Sequence, residues 1–306
     1  MTRLDPFLNT FSRYYRKKYS RAVGKIALDT GLPCPNRATG GCIYCAPASF
    51  TPFYLQPGDS LTDQLEKGKR YLRTRKIRNY FAYFQQETTT AGPVAQLTPQ
   101  LRQAVQDDDC IGLILSTRPD YLPDELLDDL AVMAADGKEV LLELGLQSSH
   151  DRTLSYINRN HSLADFLQAT KAVIKRNTLQ LGVHLILGLP GETRDDMKQT
   201  VRTVCASGID YLKFHHLQVI RSTRLAEIYH QDPFPVFTSN EYLGLLAELV
   251  ALVPERVVLH RLWSSSDPAL LVQPQWGGMH AFQLHTRLME IMRDRNLFQG
   301  KYSDHE

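Results

Sequence analysis

The most constraining feature of this 306-residue chain is a regular alternation, between about residues 20 and 220, of short β-like runs with longer helical stretches. The runs are rich in β-branched and aromatic residues, which favours strands over helices. The predicted strands are 21–28, 79–85, 111–117, 140–146, 180–187 and 211–219. The predicted helices are 61–76, 99–107, 123–135, 163–176, 194–207 and 223–229. Such a series predicts a parallel sheet with right-handed crossovers, either open and doubly wound or part of a (β/α) barrel.

Capping residues and prolines predict where some of the helices begin. Further helices and a strand are predicted beyond residue 230. Thr98 and Thr193 are predicted N-caps, because a hydroxyl there can accept a hydrogen bond from the first helical turn. Pro99 and Pro123 are read as first-turn prolines. The remaining predicted elements are helices at 241–252 and 279–294 and a strand at 256–260.

Polar or glycine-rich stretches follow five successive predicted strands. They are the cysteine loop and residues 85–90, 118–120, 147 and 188–191. In parallel α/β sheets and barrels the ligand binds where the strands end at their carboxyl termini. We therefore expect these five stretches to meet around one site.

Composition and charge exclude several classes of protein. Apolar residues make up 43% and charged residues 22% of the chain, which indicates a globular protein and not a disordered one. The net charge of +2 excludes a histone-like polycation but not a local basic face. No apolar run reaches the roughly 18 residues of a membrane span, and the first twenty residues lack a signal-peptide core. We expect a cytoplasmic protein with no membrane partner.

The five cysteines are unevenly placed. Cys34, Cys42 and Cys45 form a C-x7-C-x2-C pattern in a loop rich in glycine and proline. Three thiolates this close favour an iron–sulfur cluster or zinc, with coincidence as the third reading. A structural zinc site needs a fourth ligand, which no nearby Cys or His supplies, whereas a 4Fe–4S cluster on three cysteines leaves one iron open. Cys110 and Cys205 lie alone in apolar stretches, where we expect structural cysteines.

Several motifs resemble those of YhcC-type proteins of the radical SAM superfamily. They are KIALDTG at 25–31, CPNR at 34–37, GGC at 40–42, YFQ at 83–85, TRPD at 117–120, ELGLQ at 143–147, NRNH at 158–161 and HLILGLPGE at 184–192. The resemblance extends over residues 5–276, with a cysteine loop shorter than in relatives. It implies an α/β fold with a partial (β/α)6 TIM-like barrel at residues 21–230. A basic N-terminal segment (1–20) would precede the barrel, and a C-terminal α/β extension (231–306) would cover it.

The resemblance also implies two cofactors and a chemistry. Cys34, Cys42 and Cys45 would hold a 4Fe–4S cluster, and S-adenosylmethionine (SAM) would chelate its open iron. One electron, from a low-potential donor such as flavodoxin or ferredoxin, would cleave SAM. The resulting 5′-deoxyadenosyl radical would abstract a hydrogen atom from the substrate, while the protein supplies orientation and excludes water.

The SAM contacts are carried over from the resemblance one residue at a time. Thr88 would hold the methionyl amino group, Gln147 the ribose, and Arg159 the carboxylate, which suits a guanidinium fork. The turn at 188–191 would let the backbone approach the adenine. The full predicted set is Tyr44, Gln86, Thr88, Gln147, Arg159, His184, Gly188 and Pro190. Ser116 and His184 depart from the Glu and Asp of some relatives, which would alter the ribose contacts.

Six residues are predicted to act in catalysis or substrate binding: Arg118, Asp120, Glu143, Lys213, His215 and Arg261. Structural alternatives stand beside several of these roles. Arg118 could pair with Asp120 or Asp124 in a helix-initiating turn. Glu143 lies in an apolar strand and needs a buried partner. Lys213 and His215 alternate onto one strand face, which either lines the barrel interior or is satisfied elsewhere.

Two basic stretches with interleaved aromatic residues, 13–21 and 67–78, bear on the substrate. The second has seven Lys or Arg in twelve residues, with only Glu66 beside it in sequence. Phosphates bind cations and unstacked bases bind flat rings, so this mixture predicts RNA binding, against a solvated helix face. The predicted substrate is a tRNA nucleoside, specifically a wobble-uridine side chain. The alternatives are a radical SAM enzyme acting on a small molecule or peptide, and a non-catalytic metal-stapled nucleic-acid-binding protein.

Overall fold

The computed structural model describes residues 7–303 and contains a seven-stranded sheet with helices packed on one face. The strands are β1 (Val23–Leu28), β2 (Asn79–Phe84), β3 (Cys110–Thr117), β4 (Glu139–Gln147), β5 (Gln180–Leu187), β6 (Tyr211–His216), β7 (Val219–Ile220), β8 (Val258–Arg261) and β9 (Leu271–Gln273). The helices are α1 (Phe11–Tyr19), α2 (Leu61–Thr74), α3 (Val94–Ala104), α4 (Asp124–Ala135), α5 (Asp151–Tyr156), α6 (Leu163–Ile174), α7 (Arg194–Ala206), α8 (Arg224–Gln231), α9 (Ser239–Leu252) and α10 (Ala281–Asp294).

The strand order decides between the two predicted architectures. The main sheet runs β1-β2-β3-β4-β5-β6-β8 with every pair parallel, while β7 and β9 form a separate antiparallel pair. A doubly wound sheet reverses its strand order at a switch point, and this sheet does not. The fold is therefore the predicted partial barrel, with a seventh strand contributed by the segment after residue 230.

A contact across the sheet shows how strongly it curls. Strands β2 and β6 are four positions apart, about 19 Å in a flat sheet with strands spaced by about 4.8 Å. Yet Lys213 Nζ on β6 donates a hydrogen bond of 2.7 Å to Tyr83 Oη on β2. The inner face is therefore concave, and side chains from distant strands meet inside it.

The predicted ends of helices and strands agree best with the structure where the sequence contains a clear capping residue. Thr193 caps α7 as predicted, in a reciprocal capping box with Asp196. The Thr98 cap is wrong, because α3 already begins after Pro93; Thr98 instead donates to Asp129 Oδ2 at 2.7 Å. Pro99 consequently lies inside the helix and not in its first turn. Strand β6 ends at His216, and residues 219–220 form the separate β7.

Helix α1 closes the floor of the barrel. Its Phe11 and Tyr15 pack against inward-facing side chains of β2, β3, β4, β6 and β8, namely Phe81, Ile114, Leu141, Tyr211 and Val258. Tyr15 is fully buried, and its hydroxyl lies 2.7 Å from that of Tyr211 and donates to Glu139 at 3.2 Å. The prediction that the aromatic residues of this basic stretch bind RNA bases is wrong for Tyr15, because α1 is amphipathic and buries that ring. Residues 1–6 and 304–306 lie outside the described part of the chain.

The solitary cysteines differ in environment. Cys110 is buried at the start of β3, as predicted for a structural residue. Cys205 is only half-buried but packs against the main core. Within residues 7–303 no helix is both long and apolar enough to cross a bilayer.

The role of α1 as part of the core can be tested by mutation. Tyr15→Ala removes a fully buried ring and its hydrogen bonds, so the free energy of unfolding should fall by about 3–5 kcal/mol in urea denaturation. Arg16→Ala changes an exposed neighbour on the same helix and should shift it by less than about 0.5 kcal/mol. Similar small effects in both variants would show that α1 does not complete the core.

Candidate active site

A cavity of about 370 Å³ opens at the carboxyl ends of the strands, between the cysteine loop and the inner face of the sheet. It is lined by most of the predicted site residues: Cys34, Cys42, Tyr44, Cys45, Thr88, Arg118, Glu143, Gln147, Arg159, His184, Lys213, His215 and Arg261. Four predicted residues do not line it: Gln86, Asp120, Gly188 and Pro190. The cysteine loop and residues of the stretches 85–90, 118–120 and 147 therefore meet around one site as expected, whereas no residue of the stretch 188–191 lines the cavity.

The cysteine loop is held by the Asn-Arg-Asn-His segment that follows α5. Asn36 Nδ2 donates to the Asn158 carbonyl at 2.7 Å, and Asn160 Nδ2 donates to Asn36 Oδ1 at 2.5 Å. In return, Asn158 Nδ2 donates to the Gly41 carbonyl at 2.7 Å. Both Asn158 and Asn160 have a φ of just over 50°, in the left-handed region that asparagine tolerates better than most residues. We call these contacts between residues 34–43 and 157–161 the loop clamp.

Two of the three cysteine sulfurs accept hydrogen bonds from polar side chains. Thr88 Oγ1 donates to Cys34 Sγ at 3.1 Å, so its hydroxyl is engaged with a cysteine, where the sequence predicted a contact with SAM. Cys42 Sγ accepts from Asn36 Nδ2 at 3.3 Å and from Arg159 Nη1 at 3.5 Å. Such donors stabilise negative charge on sulfur and are among the groups that tune cluster potentials.

The chemistry of this donor set fits the predicted iron–sulfur cluster. Although Cys45 is exposed overall, desolvation around its sulfur and the neighbouring Cys42 raise its pKa to about 12, so the positive charge of bound metal would stabilise a thiolate there. In residues 7–303 no three His, Cys, Asp or Glu side chains converge closely enough to hold a single metal ion. A 4Fe–4S cluster instead takes its three thiolates on three different iron atoms.

Arg159 is fixed beside the cysteines by the backbone of β4. Its Nε and Nη2 donate to the Gly145 carbonyl at 3.1 and 2.7 Å, and the residue is buried. A Cβ on Gly145 would stand 2.6 Å from Arg159 Nη2 and 2.8 Å from Gln147 Nε2, so a larger residue here would displace the ends of both side chains. Although burial opposes its charge, the neighbouring Tyr44 and Cys42 raise the pKa of Arg159. Its contacts with Gly145 and Cys42 use three of its five N–H groups and leave two for a ligand.

Arg118 and Asp120 follow the structural alternative and are not free to bind substrate. Arg118 Nε and Nη2 form a bidentate ion pair with the Asp120 carboxylate at 2.9 and 2.7 Å. The buried Arg118 also donates to the carbonyls of Arg159 and Asn160, each at 2.8 Å. Asp120 does not reach the cavity. Both residues therefore position the segment that carries Arg159.

Three predicted SAM contacts are occupied differently or lie outside the cavity. Gly188 has a φ of +87°, and a Cβ there would meet the Phe237 ring at 2.8 Å, so the flat ring beside this turn belongs to the protein itself. Pro190 lies further along the same turn, outside the cavity lining. Gln86 is buried, and its Oε1 accepts a 3.4 Å hydrogen bond from Thr51.

A buried polar layer separates the cavity from the apolar floor. Glu143 is its centre: Oε2 accepts from Lys213 Nζ at 2.5 Å and Ser116 Oγ at 3.1 Å and lies 3.0 Å from His184 Nε2. His260 Nδ1 is in close contact with the other carboxylate oxygen, Oε1. We call Glu143 and these four partners the Glu143 layer.

Charge in the Glu143 layer is balanced within the protein. Burial raises the pKa of Glu143, but Lys213, His260 and His184 outweigh that effect and hold the pKa well below its usual value. Burial lowers the pKa of Lys213 to about 8 against the opposing attraction of Glu143. Burial likewise lowers the pKa of His184 to about 4, so its ring is neutral near pH 7. The structural alternative for Glu143 is therefore correct: it is paired.

Sequence reasoning missed His260, Tyr83 and Glu87. His260 enters the interior because β8 carries an irregularity opposite Leu212 and Lys213, which periodicity does not reveal. Tyr83 accepts from Lys213 across the barrel, a contact that only the curl of the sheet creates. Glu87 accepts from the Cys34 amide at 3.1 Å and pairs with Arg37 at 2.5 Å. Its position directly after β2 was the available signal.

Comparison with known proteins gives two family matches that together span most of the chain. The Radical SAM superfamily matches residues 32–204, and the Radical_SAM C-terminal domain matches residues 209–292. Protein YhcC of Escherichia coli (strain K12) is 34% identical over 277 residues, which cover 89% of this chain and 88% of YhcC.

The chain is also similar, at lower identity, to parts of larger proteins. The tRNA uridine(34) acetyltransferase of Methanocaldococcus infernus is 26% identical over 166 residues, covering 53% of this chain and 30% of that protein. The solved structure of archaeal Methanocaldococcus infernus Elp3 with N-terminus deletion (1-46) has a TM-score of 0.67 at 18% identity, covering 90% of this chain and 64% of that one. This structural similarity to Elp3 supports the fold alone. With a family match over more than half its length and its three loop cysteines at the mouth of a partial barrel, the chain belongs to the radical SAM superfamily of SAM-dependent iron–sulfur enzymes.

Proposed function

We propose that this chain cleaves SAM at the cavity beside Cys34, Cys42 and Cys45 and abstracts a hydrogen atom from a tRNA nucleoside. The observation that carries the SAM part is the position of Arg159, whose Nη1 lies 3.5 Å from Cys42 Sγ while two of its N–H groups remain available. A carboxylate bound to that fork would lie next to the cluster ligands. Such a placement suits a ligand that must reach both the guanidinium and an open iron.

The chain's own residues would bind, orient and shield the cofactors. When bound, a 4Fe–4S cluster and SAM would supply the one-electron cleavage of SAM and the abstraction of a hydrogen atom. Arg159 would pair with the SAM carboxylate. Gln147, which has a φ of 77° and lines the cavity at the end of β4, would contact the ribose. Thr88 and Asn36 would stabilise the cluster through their hydrogen bonds to Cys34 and Cys42.

The proposed cluster chemistry also bears on the electron donor and on the cellular compartment of the enzyme. A low-potential flavodoxin or ferredoxin would reduce the cluster. None of the five cysteines forms a disulfide, which fits reducing conditions, so we place the enzyme in the cytoplasm.

The proposal of a tRNA substrate rests on two observations. Relatives at 24–26% identity over 53–80% of this chain include tRNA uridine(34) acetyltransferases. In residues 67–78, Lys67 pairs with Asp59, Lys69 with Asp107 and Arg78 with Asp109, acids that the sequence-based charge count did not include. The other four cations, Arg70, Arg73, Arg75 and Lys76, have no acidic partner within residues 7–303 and remain available for phosphates.

A second candidate is a small molecule held inside the barrel. The cavity is closed below by the Glu143 layer and α1, so a compact substrate could be enclosed next to SAM. The cavity of about 370 Å³ is at the lower end of the range for ligand pockets and must also hold SAM, so the remaining space favours a small group over a large one. A single extruded nucleoside and a small metabolite both meet that limit.

Cluster ligation is tested by cysteine substitution. Cys34→Ala, Cys42→Ala and Cys45→Ala should each lose iron and sulfide, because each removes one of the three loop thiolates. Cys110→Ala and Cys205→Ala should retain both, because these residues lie away from the cavity. Full iron and sulfide in any loop variant, measured after anaerobic reconstitution, would overturn the ligand assignment.

The SAM role of Arg159 predicts a specific loss of affinity. Arg159→Ala should weaken SAM binding by about 1.5–3 kcal/mol, the range for charged hydrogen bonds, in equilibrium binding to the reconstituted protein. Arg152→Ala is the matched control, because that arginine is exposed and pairs only at the surface with Asp196. If Arg159→Ala keeps its cluster and binds SAM like the wild type, the carboxylate contact is wrong.

The tRNA proposal is tested by the salt dependence of binding. Changing Arg73, Arg75 and Lys76 together to Gln should lower the log–log salt slope by roughly 0.7–0.9 for each phosphate that the protein no longer binds. The control changes Lys67, Lys69 and Arg78 to Gln, which removes the same formal charge from cations already paired with acids. Absence of tRNA binding by the wild type at low salt, or equal slopes in both triple variants, would favour the small-molecule candidate.

A further inference from the structure

The inner wall of the cavity carries more positive charge than the protein itself neutralises. Lys213 and His215 share one face of β6. Arg261 on β8 lies opposite Lys213 in the strand register, and all three residues line the cavity. Glu143 is the carboxylate on this inner wall, and Lys213 already occupies it at 2.5 Å. That leaves the guanidinium of Arg261 as surplus positive charge.

Arg261 differs from the other arginines that line the cavity in having no hydrogen-bond or ion-pair partner among the described residues. Arg118 pairs with Asp120, Arg159 donates to Gly145 and Cys42, and Arg37 pairs with Glu87. Within residues 7–303, Arg261 has no hydrogen-bond or ion-pair partner. A half-buried guanidinium that is left unpaired loses hydration without compensation, which a bound oxyanion would restore.

His215 provides a second, independent indication of a ligand. Its Nε2 is buried and lacks a hydrogen-bond partner within the described chain, although the residue lines the cavity. Buried polar atoms are nearly always satisfied, so an unsatisfied one on a cavity wall indicates a missing partner. Burial, Arg261 and His184 hold the pKa of His215 well below its usual value, so the ring is neutral. A neutral imidazole can donate one hydrogen bond from Nε2 to an oxyanion.

We propose that Arg261 and His215 form an oxyanion subsite that binds a carboxylate or phosphate group of the substrate, on the wall of the cavity away from Arg159. The subsite deepens the proposed function and rests on it, because it defines what the reacting molecule must carry. A tRNA nucleoside supplies such a group as a backbone phosphate, and a small metabolite supplies it as a carboxylate. The Lys213–Glu143 pair lies beneath and keeps the subsite cationic without competing for the anion.

The test uses the full-length reconstituted protein with saturating SAM, so that Arg159 is covered. Phenylglyoxal modifies unpaired arginines, and mass spectrometry follows the rate at Arg261, with the exposed Arg73 as internal reference. Inorganic phosphate and acetate are added in separate arms as probes. We expect Arg261 to be modified, and one or both anions to slow that rate by about tenfold at saturation without affecting Arg73. Protection by phosphate alone indicates a phosphate group, and protection by acetate alone indicates a carboxylate.

A variant distinguishes anion binding at the subsite from unspecific screening of charge by the added anions. His215→Phe keeps the ring volume but removes the donor, so anion protection of Arg261 should weaken several-fold, whereas His230→Phe at an exposed site should leave it unchanged. Failure of Arg261 to react, or reaction that neither anion slows, overturns the subsite. Formation of 5′-deoxyadenosine by the wild type is measured in parallel, so loss of the proposed SAM chemistry is distinguishable from loss of the subsite.

Discussion

The structure of the site depends on the loop clamp between the cysteine loop and the Asn-Arg-Asn-His segment. Asn36 binds Asn158 and Asn160 on one side and donates to Cys42 Sγ on the other, so one amide couples backbone position to a cluster ligand. Arg118 holds the same segment from beneath through two carbonyls. Because Arg159 lies between the two asparagines, the position of the cysteines and that of the guanidinium cannot vary independently. The shape of the cysteine loop is therefore fixed by these partners and not by the loop's own length.

Beneath the clamp, the buried Glu143 organises the rest of the barrel interior. A carboxylate with almost no exposure is stable only if it is paired, and here Lys213, His184 and His260 come from three different strands to pair it. Their convergence ties β4, β5, β6 and β8 together at the level where the apolar floor ends. Removing Lys213, the charged partner, would leave the buried carboxylate uncompensated, which costs far more than the pair itself contributes. The surplus cation above it, Arg261, is then the natural contact for a ligand.

The chemistry was more predictable from sequence than the geometry. The β/α order and the grouping of the loop cysteines could be read from local patterns, because each depends on neighbours within a few residues. The role of Arg159 was implied only by the resemblance to a known family. The sequence could not show that Gly188 lies against Phe237, because that residue is almost fifty positions away and approaches only in the folded chain. The basic stretch at 67–78 looked unbalanced for the same reason, since Asp59, Asp107 and Asp109 reach it from other loops. Interactions between distant segments are what local periodicity and charge counts leave out.

The central claim is that Arg159 and the three cysteines together place SAM directly on the cluster. Electron paramagnetic resonance of the dithionite-reduced, reconstituted protein tests this claim most directly, because the g values of a reduced 4Fe–4S cluster report on the ligands of its iron atoms. The arrangement predicts that adding SAM shifts the g values of the wild-type cluster. If SAM binds, as shown by equilibrium dialysis on the same sample, while the spectrum stays the same, SAM is bound away from the cluster and the central claim is wrong.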